Sequence, residues 1–123
     1  MEQEHKKVIN IVKDYATHFL ENADEFYPFG IAFGFGNQRK SIDIFWGKEM
    51  PSSNEVLEKL EDVITVNISN KLYLSAVVGI DVYITVAGEK RTALEIRIYD
   101  SNNNITKYHV LYSKQGGKYS FND

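Results

Sequence analysis

The sequence predicts an α+β fold: a five-stranded antiparallel sheet with two helices on one face, in the order α-ββ-α-βββ, as a single domain over residues 1–123. Three observations predict it. Two segments repeat apolar residues at steps of three and four, the stripe of an amphipathic helix. Other segments alternate apolar and polar residues with period two, as half-buried strands do. All sequential strand connections but one are short turns, which suit antiparallel pairing.

The first stripe is Val8, Ile11, Val12, Tyr15, Ala16, Phe19, Leu20 and Ala23, with Lys13, Asp14, Thr17, His18 and Glu21 facing away. It predicts a helix from about Glu4 to Asn22. The helix must stop before Pro28, because proline disfavours a helical residue ahead of it and has no N–H to donate. Phe29, Ile31, Phe33 and Phe35 then alternate with Gly30, Ala32, Gly34 and Gly36. That strand has one bulky face and one nearly bare face, which lets a backbone or a large side chain approach closely. Gly36 to Lys40 reads as a turn, and Ser41 to Trp46 as the returning strand.

Ser52 with Glu55 three residues later fits a capping box, in which each side chain satisfies a free N–H at the helix start. Val56, Leu57, Leu60, Val63 and Ile64 follow as the second amphipathic stripe, to about Asn67. Period two returns from Leu72. Ala76, Val78, Ile80, Val82, Ile84 and Val86 share one face, and Val77, Gly79, Asp81, Tyr83 and Thr85 the other. A turn at Gly88 to Arg91 leads to Leu94, Ile96 and Ile98 alternating with Glu95, Arg97 and Tyr99. Ser101 to Asn104 is a turn, since asparagine tolerates positive φ and bonds its own backbone. Ile105 to Tyr112 is the last long strand, and Gln115-Gly116-Gly117-Lys118 allows a short final hairpin. The face with Ile80, Val82, Ile84, Ile96 and Ile98 is expected to receive both helices, leaving the reverse open.

The α-ββ-α-βββ order is similar to profilin-like and roadblock-type domains, without the last helix those domains carry. Phe26-Tyr27-Pro28-Phe29-Gly30, followed by a hairpin and a capped helix, resembles small uncharacterised bacterial α+β proteins with a Tyr-Pro-Phe motif after an N-terminal helix. Some small bacterial domains of this kind look like toxin-neutralising immunity proteins, an analogy at the level of fold.

Composition excludes several function classes. The chain has no cysteine, so disulfides, thiolate nucleophiles, cysteine zinc sites and iron–sulfur clusters are out. Its net charge of -3 argues against general nucleic-acid binding. No stretch approaches the ~18 consecutive apolar residues of a spanning helix. The start, Met1-Glu2-Gln3-Glu4, lacks the basic and apolar regions of a secretory signal, so a cytoplasmic location is expected.

The search for chemistry finds no signature. His5, His18 and His109 are the only imidazoles and form no His-x-x-x-His pair. Asp14, His18, Glu21 and Glu25 fall near one helix face, a spacing that would suit a weak metal or proton-transfer cluster but that any solvated face of an amphipathic helix also produces, which is the favoured reading. Gly34-Phe35-Gly36 lacks the third glycine and the following helix of a phosphate loop. There is no Gly-x-Ser-x-Gly and no Ser-x-x-Lys. Arg39-Lys40 and Lys90-Arg91 are ordinary turn chemistry unless their tips lie at one edge, where they would contact an acidic partner or phosphates.

The aromatic content of 13% is the most unusual quantity. Tyrosine combines area with a polar tip, and arginine is enriched at the energetic centres of interfaces. The expected reading is a non-enzymatic, cytosolic interaction module of immunity or regulatory type. It would bind a protein partner or a second copy through an open sheet face built from Asp43, Phe45, Asp81, Tyr83, Glu95, Arg97 and Tyr99. No catalytic residue, metal or cofactor is assigned, and neither nucleic acid nor membrane is an expected partner. The alternative is a small-molecule or enzymatic pocket between helices and sheet near Gly30, Ala32, Gly34 and Gly79, with His109 or His18 as the titrating group.

Overall fold

The computed structural model describes residues 2–23, 26–34, 38–42 and 51–122. Helix α1 (Glu2–Asn22) precedes strands β1 (Phe29–Phe33) and β2 (Arg39–Ile42). Helix α2 (Ser53–Ser69) then leads into β3 (Ser75–Val86), β4 (Glu89–Tyr99), β5 (Ile105–Gln115) and β6 (Lys118–Asn122). All six strands join one antiparallel sheet in the order β2-β1-β3-β4-β5-β6. The α+β class and the antiparallel pairing are as expected, but the sheet has six strands and the order is α-ββ-α-ββββ. The sixth forms because Gly116 and Gly117, at φ 59° and 82°, close a two-residue turn whose twist matches the flanking strands. Phe35 and the 43–46 part of the expected second strand lie outside the described residues.

Local chemistry sets the element ends. The Glu55 N–H donates to Ser52 Oγ at 3.1 Å and the Ser52 N–H to Glu55 Oε1 at 3.2 Å, which is the expected capping box. α2 continues past Asn67 because Ile68 is buried on the sheet. In the β4–β5 turn, Asp100 accepts N–H bonds from Asn102 and Asn104, and these hold its carboxyl below the usual aspartate range. Asn103, at φ 62°, donates from its side chain to Thr65 O and Ser69 Oγ, tying that turn to the end of α2.

The helices lie on opposite faces of the sheet, not on one. α1 buries Val12, Ala16 and Leu20 against Ile31, Val77, Leu94, Ile96 and Val110. α2 buries Val56, Leu60, Ile64 and Ile68 against Ala76, Val78, Ile80 and Tyr99. Val77 and Val78 are neighbours on β3, and successive side chains of a strand point to opposite faces. Two glycines give the same answer. A Cβ on Gly79 would meet Val12 of α1 at 3.0 Å and the Phe29 ring at 2.5 Å. A Cβ on Gly30 would meet Leu60 of α2 and Ile42, each at 3.0 Å. The sheet is therefore the middle of three layers. Its central strand is apolar on both faces, so Ala76-Val77-Val78-Gly79-Ile80 is buried without a break.

The β3–β4 register also differs from expectation. The turn is Ala87-Gly88, at φ 52° and 81°, with Val86 paired to Glu89. This pairs Ile80 with Glu95 and Asp81 with Leu94. Ile80, Val82 and Ile84 thus share the α2 side with Glu95, Arg97 and Tyr99, while Asp81 and Tyr83 share the α1 side with Leu94, Ile96 and Ile98. A change in turn parity moves a whole strand's side chains to the other face.

Two substitutions test this packing by urea unfolding. Gly79→Ala should destabilise by about 1–3 kcal/mol, because the added carbon overlaps the Phe29 ring between β1 and α1. Ala87→Gly should stabilise by up to ~1 kcal/mol, because a Cβ in the left-handed region is strained and glycine's is not.

Candidate functional site

The register splits the seven expected binding residues. Asp43 and Phe45 lie outside the described residues. Asp81 and Tyr83 are on the α1 side, and Glu95, Arg97 and Tyr99 on the α2 side. Tyr99 is 0% exposed beneath α2, so it is a packing residue and not a contact surface. On the α1 side the Tyr112 hydroxyl donates to Asp81 Oδ1 at 2.5 Å, and the Tyr112 ring packs on Tyr119 and Phe121. Burial, reinforced by the bond to the Asp81 carboxylate, pushes the Tyr112 phenol well above the ordinary tyrosine value. Tyr83 is exposed on that side, with Lys90 Nζ 4.2 Å from its ring centre.

The α2 side is the more organised. α2 covers Ala76, Val78 and Ile80 but leaves β5 open: Lys107 and His109 are exposed, and Val82, Ile84, Arg91 and Leu111 are half-buried. At the border a chain of polar contacts runs from the helix across two strands. Tyr99 OH donates to Glu61 Oε2 at 2.9 Å, and Arg97 Nη1 reaches Glu61 Oε1 at 3.4 Å. Arg97 Nε donates to Glu95 Oε2 at 2.7 Å, and His109 Nε2 lies 2.8 Å from Glu95 Oε1. A carboxylate only accepts, so His109 Nε2 carries the hydrogen and Nδ1 is left outside the pair.

Glu95 is the hub, with its side chain 13% exposed. Burial alone would raise its pKa. The hydrogen bonds from Arg97 and His109, with their charge, outweigh burial and hold the carboxyl below the usual glutamate range. Burial also acts first on the Tyr99 phenol, and together with the bond to Glu61 it raises that group well above its ordinary value.

The site therefore offers a fixed ionic border and an aliphatic floor of Val82, Ile84 and Leu111. Among the described residues, Arg91 and Lys107 on this side make no ion pair. Sequence reasoning missed Glu61, His109 and Lys107 as members of this cluster. The readable signal for His109 and Lys107 was strand parity, and for Glu61 there was none, because a helix residue's sheet neighbour is set by the helix's placement.

Two further expectations can be placed. Of the four small residues of the expected pocket, Gly30 and Gly79 open no cavity, since Leu60 with Ile42 and Phe29 with Val12 occupy the space above them, whereas Ala32 and Gly34 line clefts at the end of β1. Asp14, His18 and Glu21 are exposed on α1, Glu25 lies outside the described residues, and no group of acids and histidines among the described residues could hold a metal ion. Among the described residues, no helix is long and apolar enough to cross a membrane.

Comparison with protein-family models, curated proteins and solved structures finds no match to this chain.

Glu95 generates a pH prediction. Its folded pKa is depressed, so its stabilisation is present above the unfolded value of about 4.5 and is lost as pH falls through the folded value. The stability difference between the native chain and Glu95→Gln, measured by urea unfolding, should shrink as pH falls below about 4.5. Arg97→Leu should cost about 1–2 kcal/mol at pH 7 by leaving Glu95 without its shortest partner, and less in acid.

Proposed function

We propose that this chain is a small, non-enzymatic, cytosolic interaction module that binds an acidic protein partner through the uncovered sector of its α2-side sheet face. The immunity-type role that the sequence resemblance implies is one form of such a module, and a regulatory role is another. The observation that carries the reading is the pre-ordered border of Glu61, Arg97, Glu95 and His109 beside the half-buried Val82, Ile84 and Leu111. Side chains already held in place lose little freedom on binding, which lowers the entropic cost of association. Aliphatic floors with charged rims are what interfaces use: the floor supplies burial and the rim supplies steering and register.

The sign of the partner follows from the strand residues that make no ion pair among the described residues. On this side of β4, β5 and β6, Arg91, Lys107 and Lys118 stand against Glu89, in a chain whose net charge is -3. A second copy brought face to face would set the same cationic excess against itself, which disfavours a homodimer through this sector.

Site-specific photocrosslinking tests the proposal. A benzophenone amino acid is placed at Lys107 or Arg91, with Tyr83 on the other face as control, in the cells that make the protein. The expected result is one heterologous adduct from Lys107 and Arg91 and none from Tyr83, with the adduct from Arg91 lost in a Lys107→Glu background. A self-adduct, equal labelling from Tyr83, or no adduct from any position would overturn the reading.

A further inference from the structure

At the end of the sheet away from the β3–β4 turn, a cleft of about 960 Å³ lies between α1 and the ends of β1 and β3. Ile11, Phe33 and Leu74 give it apolar walls, and Lys7, Arg39 and Gly34 also line it. A second cleft of about 440 Å³ shares Gly34 and Arg39 and adds Lys40 and Leu72. The larger volume is within the range of small-molecule sites, roughly 300–1,000 Å³.

Three features point to one ligand chemistry. Leu74, which lines the larger cleft, is 41% exposed although its N–H is fixed to Phe33 O at 2.8 Å, so an apolar surface is held open there by backbone pairing. The charged residues lining both clefts are all basic among the described residues. Lys7 and Arg39 make no ion pair among the described residues, in a chain with more acids than bases. An apolar wall beside two cations matches a molecule with an apolar body and an anionic head. Arginine's planar fork suits a carboxylate in particular.

We propose that this cleft binds a small amphiphilic carboxylate, its head on Lys7 and Arg39 and its apolar chain along Ile11, Phe33 and Leu74. This site is at a different place in the fold from the sector described above and is independent of it.

Gly34 makes the cleft testable without disturbing the fold. It does not need positive φ, and among the described residues a Cβ there would meet only Gln38 Cβ, at 3.9 Å. The experiment follows anilinonaphthalene sulfonate fluorescence on the purified chain and its displacement by dodecanoate below the micelle concentration. Dodecanol, neutral and of the same length, is the control. Dodecanoate should displace the dye and dodecanol should be at least about tenfold weaker. Lys7→Gln and Arg39→Gln should each weaken dodecanoate by roughly threefold to fivefold. Gly34→Leu should abolish displacement while leaving the thermal melt in place. Equal displacement by dodecanol, or unchanged binding in all three variants, would overturn the proposal. So would sedimentation with phosphatidylglycerol vesicles without binding of monomeric dodecanoate, because the anion would then be a membrane surface.

Discussion

The two-residue turn at Ala87-Gly88 fixes the longest hairpin, and most of the molecule's chemistry follows from its parity. Residues opposite one another in an antiparallel pair share a face, so pairing Val86 with Glu89 also commits Ile80 to Glu95 and Asp81 to Leu94. That choice places Glu95 and Arg97 beside Glu61 of α2 and opposite His109 of β5, where they form one connected ionic border. It also places Leu94, Ile96 and Ile98 beneath α1, where they form much of its core. A shift of one residue would bury the acid and the arginine under α1 and put three aliphatic side chains against Glu61.

Much of the fold was legible. The two helical stripes, the Ser52–Glu55 cap, the asparagine turn and the antiparallel meander all stand in the structure where the residues place them. The sixth strand was legible too, since Gly116-Gly117 is a hairpin turn in its own right. Placement of the helices was harder. Alternation alone suggests one covered face, but Ala76-Val77-Val78-Gly79-Ile80 is a continuous apolar run, and such runs belong to strands covered on both faces. That run was the sequence's own evidence against an open reverse side.

The candidate site was legible only in part. Glu95 and Arg97 were identifiable as a charged pair on one face of a strand, and they do meet. Asp81 and Tyr83 were grouped with them by the wrong parity. Tyr99 sits on the right face but under α2, because helix position decides which part of a face is covered and local periodicity carries no record of it. Glu61 and His109 join the cluster through tertiary placement. Each was an ordinary polar residue on its own element, and only the neighbouring layer or strand makes it a partner.

The described sheet ends in two unlike borders. β2 is four residues long and exposes Arg39 and Lys40, and β6 is five residues long and begins with Lys118. Unpaired strand borders invite growth by addition of another chain's strand. Here two copies approaching through like borders would bring lysines and arginine together, and like charges set opposite one another disfavour the pairing. The same charge therefore works against fibrillar stacking through the described borders.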